Sequence, residues 1–563
     1  MGGFETFLTI FGGLGLFLFG MKIMSESLQM AAGDRLKAIL WKVTNNRILG
    51  VITGFFITSV IQSSSATTVM LVSFVSAGLL TLTQSIGIIF GANIGTTVTG
   101  WLVAILGFKI KIATFALPAI GIGFFLRFLS NQKLKQYGEI FLGFGILFLG
   151  LDIMSGAVQD LRNSQQVMHF MAQYSANTIL SALLVVGIGG IITMLVQSSS
   201  ATMAMTMTLA VNGLIDFPTA CALILGENIG TTITANIAAI GASTDARRAA
   251  LAHLIFNVSG VIWVLLLFHN FFVPLVDYIV PGNPSNPDAA LRSIVIADHM
   301  AAFHTVFNVT NALLFLPFTR HLANLAAFII PAGKIDKDEF HLKYISTVLV
   351  STPAININQA RLEMRRMSEI VNDMFDRTIE VFHNPSEKLG DKVEEILKLE
   401  NTVDRLEKEI SDYLVTISQH NISQDQSQEI SSMLHTVNEI ERIGDQSESI
   451  LKLIRRKYDQ KIKFTSHAVK GIDEISGKVR EALALIHKSI SVKSTNILPE
   501  ARVIEDRIDE LRKELRKGHV TRLNKRQCDV DSGLLFIDML SKFEKIGDHA
   551  FNVAESISGV RIF

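Results

Sequence analysis

The chain has 563 residues, 49% hydrophobic and 18% charged, with mean hydropathy +0.38 and a formal net charge of +0. A neutral balance with a pI near 7.3 offers no basic surplus for nucleic acid. Two cysteines, Cys221 and Cys528, lie in regions of different composition, which excludes a disulfide framework and suits a reducing compartment for the soluble part.

The averages conceal a split. No Asp, Glu, Lys or Arg lies between Arg47 and Lys109, or between Arg162 and Asp216. Such stretches read as membrane segments. From about Gly333 onward the chain is charged and helical in pattern. We expect a membrane domain over residues 1–332, a linker over 333–351 and a soluble helical domain over 352–563. The N-terminus lacks the basic start of a cleaved signal peptide, so Phe7 to Phe19 reads as part of an uncleaved first membrane helix. Met1-Gly2-Gly3-Phe4-Glu5-Thr6 matches a short myristoylation pattern, to which a spanning protein gives little weight.

A glycine-rich element, Gly13 to Met24, opens the first half. Arg35, Lys37, Lys42 and Arg47 follow as candidate cytoplasmic loop charges, and Lys22 reads as a snorkelling side chain. Then comes Gln62-Ser63-Ser64-Ser65-Ala66-Thr67, and after it Asn93-Ile94-Gly95-Thr96-Thr97. The apolar runs on either side of the serines, Leu49 to Ile61 and Ala66 to Leu80, fall short of the ~20 residues that a spanning helix needs. They predict two half-helices meeting at a break inside the membrane, with the second half-helix starting near Ala66. Non-helical backbone at that depth lines a cavity or is buried in protein. The hydroxyl and amide oxygens suit a hard cation such as sodium, and the amides that open the second half-helix favour an anion.

The second half repeats this order. Gly143 to Met154 matches the glycine-rich element at an offset of 130 (143 − 13), with Asp152 in the place of Lys22. Gln197-Ser198-Ser199-Ser200-Ala201-Thr202 and Asn228-Ile229-Gly230-Thr231-Thr232 follow at an offset of 135 (197 − 62 and 228 − 93). One shared spacing marks an internal repeat, over about residues 7–130 and 138–330, of the kind that builds transporters from two halves. A serine run in a membrane helix is often mere packing; two copies with matching flanks argue against that. Neither motif region contains Lys or Arg. An anion there is met by helix ends, amides, hydroxyls and a co-bound cation, which points to cation-coupled anion transport. Ala92 is matched by Glu227, an ionisable residue that binds sodium or a proton, or else sits in a watery vestibule. His253 with Asn257 and His304 with Asn308 recur at an offset of 51 and read chiefly as buried hydrogen-bonding pairs.

The soluble part predicts about six amphipathic helices as two three-helix bundles, with breaks at 383–386, 420–424, 491–499 and 522–532. Val393 to Leu414 is heptad-like and suits pairing with another subunit. Four acidic pairs each share a helix face: Glu400/Asp404, Glu441/Asp445, Glu505/Asp509 and Glu544/Asp548. Neighbouring Arg442, Arg507 and Lys545 make ordinary salt bridges the alternative to a metal. Glu369/Asp373 and Glu387/Asp391 show the same spacing outside the repeat.

The paired Gln-Ser-Ser-Ser and Asn-Ile-Gly-Thr-Thr elements resemble the type II sodium-dependent phosphate cotransporters over roughly residues 1–320. The resemblance implies an all-α polytopic transporter with two inverted repeats containing broken or re-entrant helices, coupling sodium to inorganic phosphate. It makes Gln62, Ser63, Ser64, Ser65, Gln197, Ser198, Ser199 and Ser200 the first candidates for the phosphate and sodium site. Thr67, Asn93, Thr96, Thr97, Thr202, Glu227, Asn228, Thr231 and Thr232 come next. Residues 350–560 resemble the PhoU-like domain, whose acidic motifs hold metal clusters. This implies a divalent or iron-type metal at the four acidic pairs and a cytoplasmic regulatory role. The whole reads as a bacterial inner-membrane protein amid lipid, with a homo-oligomer through the C-terminal helices as an option. No nucleotide-binding Gly-x-x-x-x-Gly-Lys loop is present, and the serines have no nearby general base, so neither an ATP-driven pump nor an enzyme is expected. A phosphate exporter, a proton-coupled carrier and a membrane-anchored phosphate sensor are the rival readings.

Overall fold

The charge-free stretches fold as helices whose starts are set by side-chain caps. Asn46 Oδ1 accepts from the amides of Ile48 and Leu49. Thr81 with Gln84, and Thr178 with Ser181, form reciprocal capping boxes. The computed structural model describes residues 3–41, 46–76, 78, 80–110, 113–129, 131–162, 164–240, 242–286, 289–331, 342, 344–345, 353–383, 389–419, 422, 424–492 and 497–559. Among the described residues there is no strand. The side chains of Arg35, Lys37 and Lys42, the myristoylation pattern's first residues, Glu387 and most of the expected linker lie outside them.

The chain divides into two compact units, the second of them holding the helices from Pro353 onward. Among the described residues the first unit opens with α1 (Gly3–Trp41), α2 (Arg47–Ile61), α3 (Ser64–Ser76), α4 (Leu82–Leu102), α5 (Ala113–Leu126), α6 (Gln132–Arg162), α7 (Gln165–Gln173), α8 (Ile179–Val196), α9 (Ser199–Val211) and α10 (Phe217–Gly230). They are followed by α11 (Thr232–Ala238), α12 (Thr244–Leu266), α13 (Val273–Ile279), α14 (Ala289–Phe315) and α15 (Thr319–Ile329). Among the described residues, six helical stretches are long and apolar enough to cross a membrane.

Glycine sets how closely these helices approach. A Cβ at Gly54 would lie 2.0 Å from Ile88 O, and one at Gly91 would lie 1.9 Å from Val51 O. In the second half, a Cβ at Gly226 would lie 2.1 Å from Val186 O, and one at Gly189 would lie 2.5 Å from Leu223 O. Along α4, Gly87, Gly91 and Gly95 meet Arg47, Val51 and Phe55 in turn, so α2 runs parallel to α4; along α10, Gly226 and Gly230 meet Val186 and Gly190 in turn, so α8 runs parallel to α10. Between each parallel pair a short helix must return. The break at Gln62 is therefore the tip of a re-entrant hairpin, α2–α3, rather than a kink in one continuous rod; α8–α9 repeats it with its tip at Gln197.

The two glycine-rich helices meet each other reciprocally. Gly13 approaches Gly150 and Met154, while Gly20 approaches Gly143 and Leu147. One number rises as the other falls, so α1 and α6 run antiparallel. Equivalent residues also exchange roles across the contact, since 143 is 13 + 130 and 150 is 20 + 130. Ser243 N donates to Ser76 Oγ at 3.1 Å, which brings the chain leaving α11 to the end where α2–α3 enters. Arg47 donates to the carbonyls of Leu316 and Pro317 at the same end. Thus α10 finishes where α4 begins.

Among the described residues the second unit has six helices: α16 (Pro353–His383), α17 (Leu389–Ser418), α18 (Gln424–Asp459), α19 (Ser466–Val492), α20 (Leu498–Asn524) and α21 (Val530–Ile557). The first three pack together, the last three pack together, and α18 lies on α21. A fifth break, between α18 and α19, escaped the sequence reading; Lys461 turns there at φ 53° and Thr465 Oγ1 accepts from Ala468 N. The heptad-like face of α17 (Val403, Leu406, Ile410 and Leu414) is buried inside this unit rather than free for a partner. Gly444 and Gly547 admit equivalent neighbours, Val403 at 3.4 Å and Ile508 at 3.1 Å.

These contacts set a stability test. Gly91→Ala and Gly226→Ala each push a methyl into a backbone carbonyl and should cost about 1–3 kcal/mol, as overpacking does. Gly12→Ala, where a Cβ meets nothing within 4 Å, should leave the melting temperature of the detergent-solubilised protein within error or raise it slightly. Equal melting temperatures for all three variants would remove the close approach as a constraint.

Candidate hairpin-tip site

Both tips have one local conformation. Gln62 adopts φ 58°, ψ 26° and Gln197 φ 55°, ψ 24°, the left-handed region that non-glycine residues rarely enter. Each closes the incoming helix, with Gln62 N donating to Thr58 O at 2.7 Å and Gln197 N to Thr193 O at 2.8 Å. Ser63 Oγ accepts from Ala66 N, and Ser198 Oγ accepts from Ala201 N, so the first serine of each run is a helix cap. Thr67 Oγ1 donates back to Ser63 O, and Thr202 Oγ1 to Ser198 O, both at 3.0 Å. The returning helices begin at Ser64 and Ser199, two residues earlier than the expected start near Ala66.

The caps leave the other serines uncommitted. The hydroxyls of Ser64, Ser65, Ser199 and Ser200 make no hydrogen bond with the described residues, although Ser64 and Ser200 are buried. Four hydroxyls and the backbone amides of Ser64, Ser65, Ser199 and Ser200, which the caps do not use, are thus available to a ligand. The Asn-Ile-Gly-Thr-Thr elements line the neighbouring helices, but their side chains are partly spent on their own backbone. Asn93 and Asn228 donate to Ile89 O and Ile224 O; Thr96 and Thr231 to Ala92 O and Glu227 O; Thr97 and Thr232 to Ile94 O and Ile229 O. The asparagine carbonyl oxygens remain for a cation. Each returning helix also packs on the other half, α3 against α11 and α9 against α4.

Glu227 lies inside the protein rather than at an edge, 1% exposed. Its Oε1 accepts from Thr206 Oγ1 at 2.8 Å, and its Oε2 has no partner among the described residues. Ala92 and Leu71 occupy the equivalent positions of the first half, so a polar pair replaces an apolar one in only one copy. His253, Asn257, His304 and Asn308 are all buried; Asn257 donates to His253 O and Asn308 to His304 O, both at 3.0 Å. Both histidine Nδ1 atoms and both asparagine Oδ1 atoms are orphaned, which is more than a packing role alone would leave. By contrast Lys22 and Asp152 are exposed, as snorkelling side chains are. Sequence reasoning missed Ser25, Thr58 and Thr99, which bond the first tip: Ser25 Oγ to Ile61 O, Thr58 Oγ1 to Thr67 Oγ1, and Thr99 Oγ1 to Gln62 Oε1. Only the 130- and 135-residue offsets signal them.

In the second unit Glu400, Asp404 and Asp445 place one carboxylate oxygen each within 4.8 Å of the others, a spacing that fits a metal ion. Glu441, on the same helix as Asp445, is outside that group. Burial, then Asp445, Asp404 and Glu407, push its carboxyl up to about 7. The duplicate differs. Arg512 lies 3.1 Å from Asp509 and 3.3 Å from Glu544, and Lys513 also bonds Asp509, so a cation is built in and a metal does not fit as well. Glu505 and Asp548 are pushed up chiefly by burial, while the bond from Lys513 holds Asp509 down.

A carboxyl whose folded value exceeds its ordinary 4.5 stabilises the fold below 4.5 and loses that contribution as pH rises to about 7. Calorimetry of the full chain in chelator should therefore show the helical unit melting at lower temperature as pH climbs from 4.5 to 7. Glu441→Gln should flatten that slope; an unchanged slope would mean that Glu441 titrates normally.

Residues 16–156 and 158–273 match the Na+/Pi-cotransporter family, and residues 364–454 and 472–557 match the PhoU domain. The chain is 24% identical to "Putative inorganic phosphate export protein YjbB" of Escherichia coli K12, covering 98% of this chain and 97% of that protein. It is 33% identical to the uncharacterized protein YqeW of Bacillus subtilis, over 56% of this chain and 95% of that one. A shorter likeness, 38% over 98 residues, joins it to sodium-dependent phosphate transport protein 2A of the rat, covering 17% of this chain and 15% of that protein. The chain is a membrane protein, not an enzyme, and it belongs to the Na+/Pi-cotransporter family with a C-terminal PhoU domain.

Proposed function

We propose that this protein carries inorganic phosphate across the membrane together with sodium, by alternating access around the two hairpin tips. The observation that carries the reading is the set of four uncommitted serine hydroxyls at two tips of one geometry. Phosphate is met there by hydroxyls and helix-end amides, with no fixed basic side chain to hold it back from release. Sodium supplies the missing positive charge, with the asparagine carbonyls and Glu227 as its oxygen ligands. Inverted topology of the repeats is supported by the antiparallel, reciprocal contact of α1 with α6 and by the opposite entry of the two hairpins.

Orientation follows from charge. Arg47, Arg127, Lys133, Lys135, Arg247, Arg248 and Arg320 gather at the Arg47 end, while the other end has Lys109, Arg162 and Arg292. The positive-inside rule makes the Arg47 end cytoplasmic. Ile330, whose carbonyl accepts from Arg248, leaves from that end, which supports a cytoplasmic PhoU domain acting as a regulator. The name of the E. coli relative favours export as the working direction. In the PhoU domain, Glu400, Asp404 and Asp445 would hold a divalent or iron-type metal, which would tie α17 to α18.

Radiolabelled phosphate flux in proteoliposomes tests the transport reading in both directions, with sodium gradients against potassium controls. Sodium-dependent flux should fall at least tenfold in Ser64→Ala with Ser199→Ala, roughly the loss of one or two hydrogen bonds to a charged group. Flux that ignores sodium would overturn the coupling and leave Glu227 as a proton carrier; flux that survives both substitutions would overturn the site. For the metal, elemental analysis of the purified chain should find that Asp445→Asn empties a site and Asp509→Asn does not. Equal loss in both would assign the ion to both duplicates.

A further inference from the structure

The two tips hold the same residues but not the same bonds. In the first copy three hydroxyls close around the tip: Ser25 Oγ donates to Ile61 O at 2.6 Å, Thr99 Oγ1 to Gln62 Oε1 at 3.0 Å, and Thr58 Oγ1 to Thr67 Oγ1 at 3.1 Å. Their counterparts, at the offsets of 130 and 135 that define the repeat, are Ser155, Thr234 and Thr193. The matching acceptors, the carbonyl of Val196, Gln197 and Thr202, are present too. None of the three bonds is made. Ser155 Oγ instead accepts from Asn212 Nδ2 at 3.2 Å, and Thr234 Oγ1 donates to its own helix at Thr231 O. Thr193 Oγ1 is buried with no partner. In step with this, Gln62 is 6% exposed, whereas Gln197 is exposed and makes no side-chain bond with the described residues.

We infer that these six hydroxyl residues form a clasp that positions each site glutamine, and that the second tip makes the same three bonds when the first releases them. The inference rests on the alternating-access reading and names the residues that alternate. Identical chemistry in both copies makes the two arrangements close in energy, and neutral hydroxyl bonds are weak enough to exchange. A buried orphan hydroxyl at Thr193 is a cost that closing the second tip relieves. One sequence difference biases the resting state: Asn212, which occupies Ser155, has Ala77 as its counterpart in the first copy. Ser25 Oγ accepts from Gln29 Nε2 of its own helix at 3.1 Å and still donates to Ile61 O, whereas Asn212 ties Ser155 to the C-terminal end of α9.

Disulfide trapping tests this in the full chain, reconstituted in liposomes with Cys221→Ser and Cys528→Ser. One cysteine pair is Gln62→Cys with Thr99→Cys; the other is Gln197→Cys with Thr234→Cys. Both pairs should cross-link under mild oxidant, the second only because the unseen closed arrangement is visited. Asn212→Ala should raise the rate of the second pair about fivefold and slow the first. Thr193→Val should slow the second pair about fivefold without changing the first, each the effect of one hydrogen bond of ~1 kcal/mol. A second pair that never links while the first does, or rates indifferent to Asn212→Ala and Thr193→Val, would overturn the clasp. Because the readout needs no phosphate, cross-linking of both pairs without phosphate flux would sink the transport reading and keep the clasp. Flux with a silent second pair would do the reverse.

Discussion

Everything at the two tips depends on the backbone of one helix lying directly against the backbone of another. Gly54 and Gly91 in the first half, and Gly189 and Gly226 in the second, leave no room for a methyl between α2 and α4 or between α8 and α10. In an apolar medium there is little hydrophobic gain from helix association, so close van der Waals contact has to supply it. That contact fixes the parallel course of each pair, and a parallel pair joined through a short helix can only be a re-entrant hairpin. The left-handed glutamine is then the residue that reverses the chain. A break of this kind is tolerated at membrane depth because α4, α11 and α12, or α10, α14 and α4, surround it with protein.

A tip built this way is polar without being charged. Each turn satisfies most of its own hydrogen bonds through caps and through threonine and asparagine side chains that bond back one turn. What remains over is small and specific: serine hydroxyls, helix-start amides and asparagine carbonyls. Such a set suits an anion only alongside a cation, which is the physical basis of the proposed coupling of two solutes at one place. Glu227 breaks the neutrality in one copy only, and its Thr206 partner shows that the exception is accommodated by a second polar change rather than by solvent.

Much of this was legible in the residues because repetition is visible in a single sequence. The 135-residue offset located both tips and both Asn-Ile-Gly-Thr-Thr elements. A short apolar run does not say whether the chain continues or turns back, so the hairpin had to come from the glycine contacts. Ser25, Thr58 and Thr99 were out of reach for a related reason. Isolated hydroxyl residues in apolar helices look like packing until the fold brings Ser25 and Thr99, 74 residues apart (99 − 25), to one tip. In the PhoU domain the acidic pairs were plain, but their unequal surroundings were not, because Arg512 acts across helices on Glu544 as well as along its own on Asp509.

Both parts of the chain are duplications that have diverged in use while keeping their geometry. In the PhoU domain, Glu407 and Arg512 occupy equivalent positions, 105 residues apart like Glu400 and Glu505. An acid at that position adds to an already crowded set of carboxylates, and an arginine neutralises it, so one duplicate leaves its carboxylates crowded while the other supplies its own cation. In the membrane part the divergence is slighter and acts on bonding instead of charge. Asn212 against Ala77 and Glu227 against Ala92 leave the fold of each half unchanged, yet under the proposed alternation they would remove the equality that a perfect repeat imposes on its two states. A carrier with two identical halves would rest equally in either arrangement. A few polar substitutions at the tips are enough to give it a preferred one, and each is worth no more than the hydrogen bond it makes.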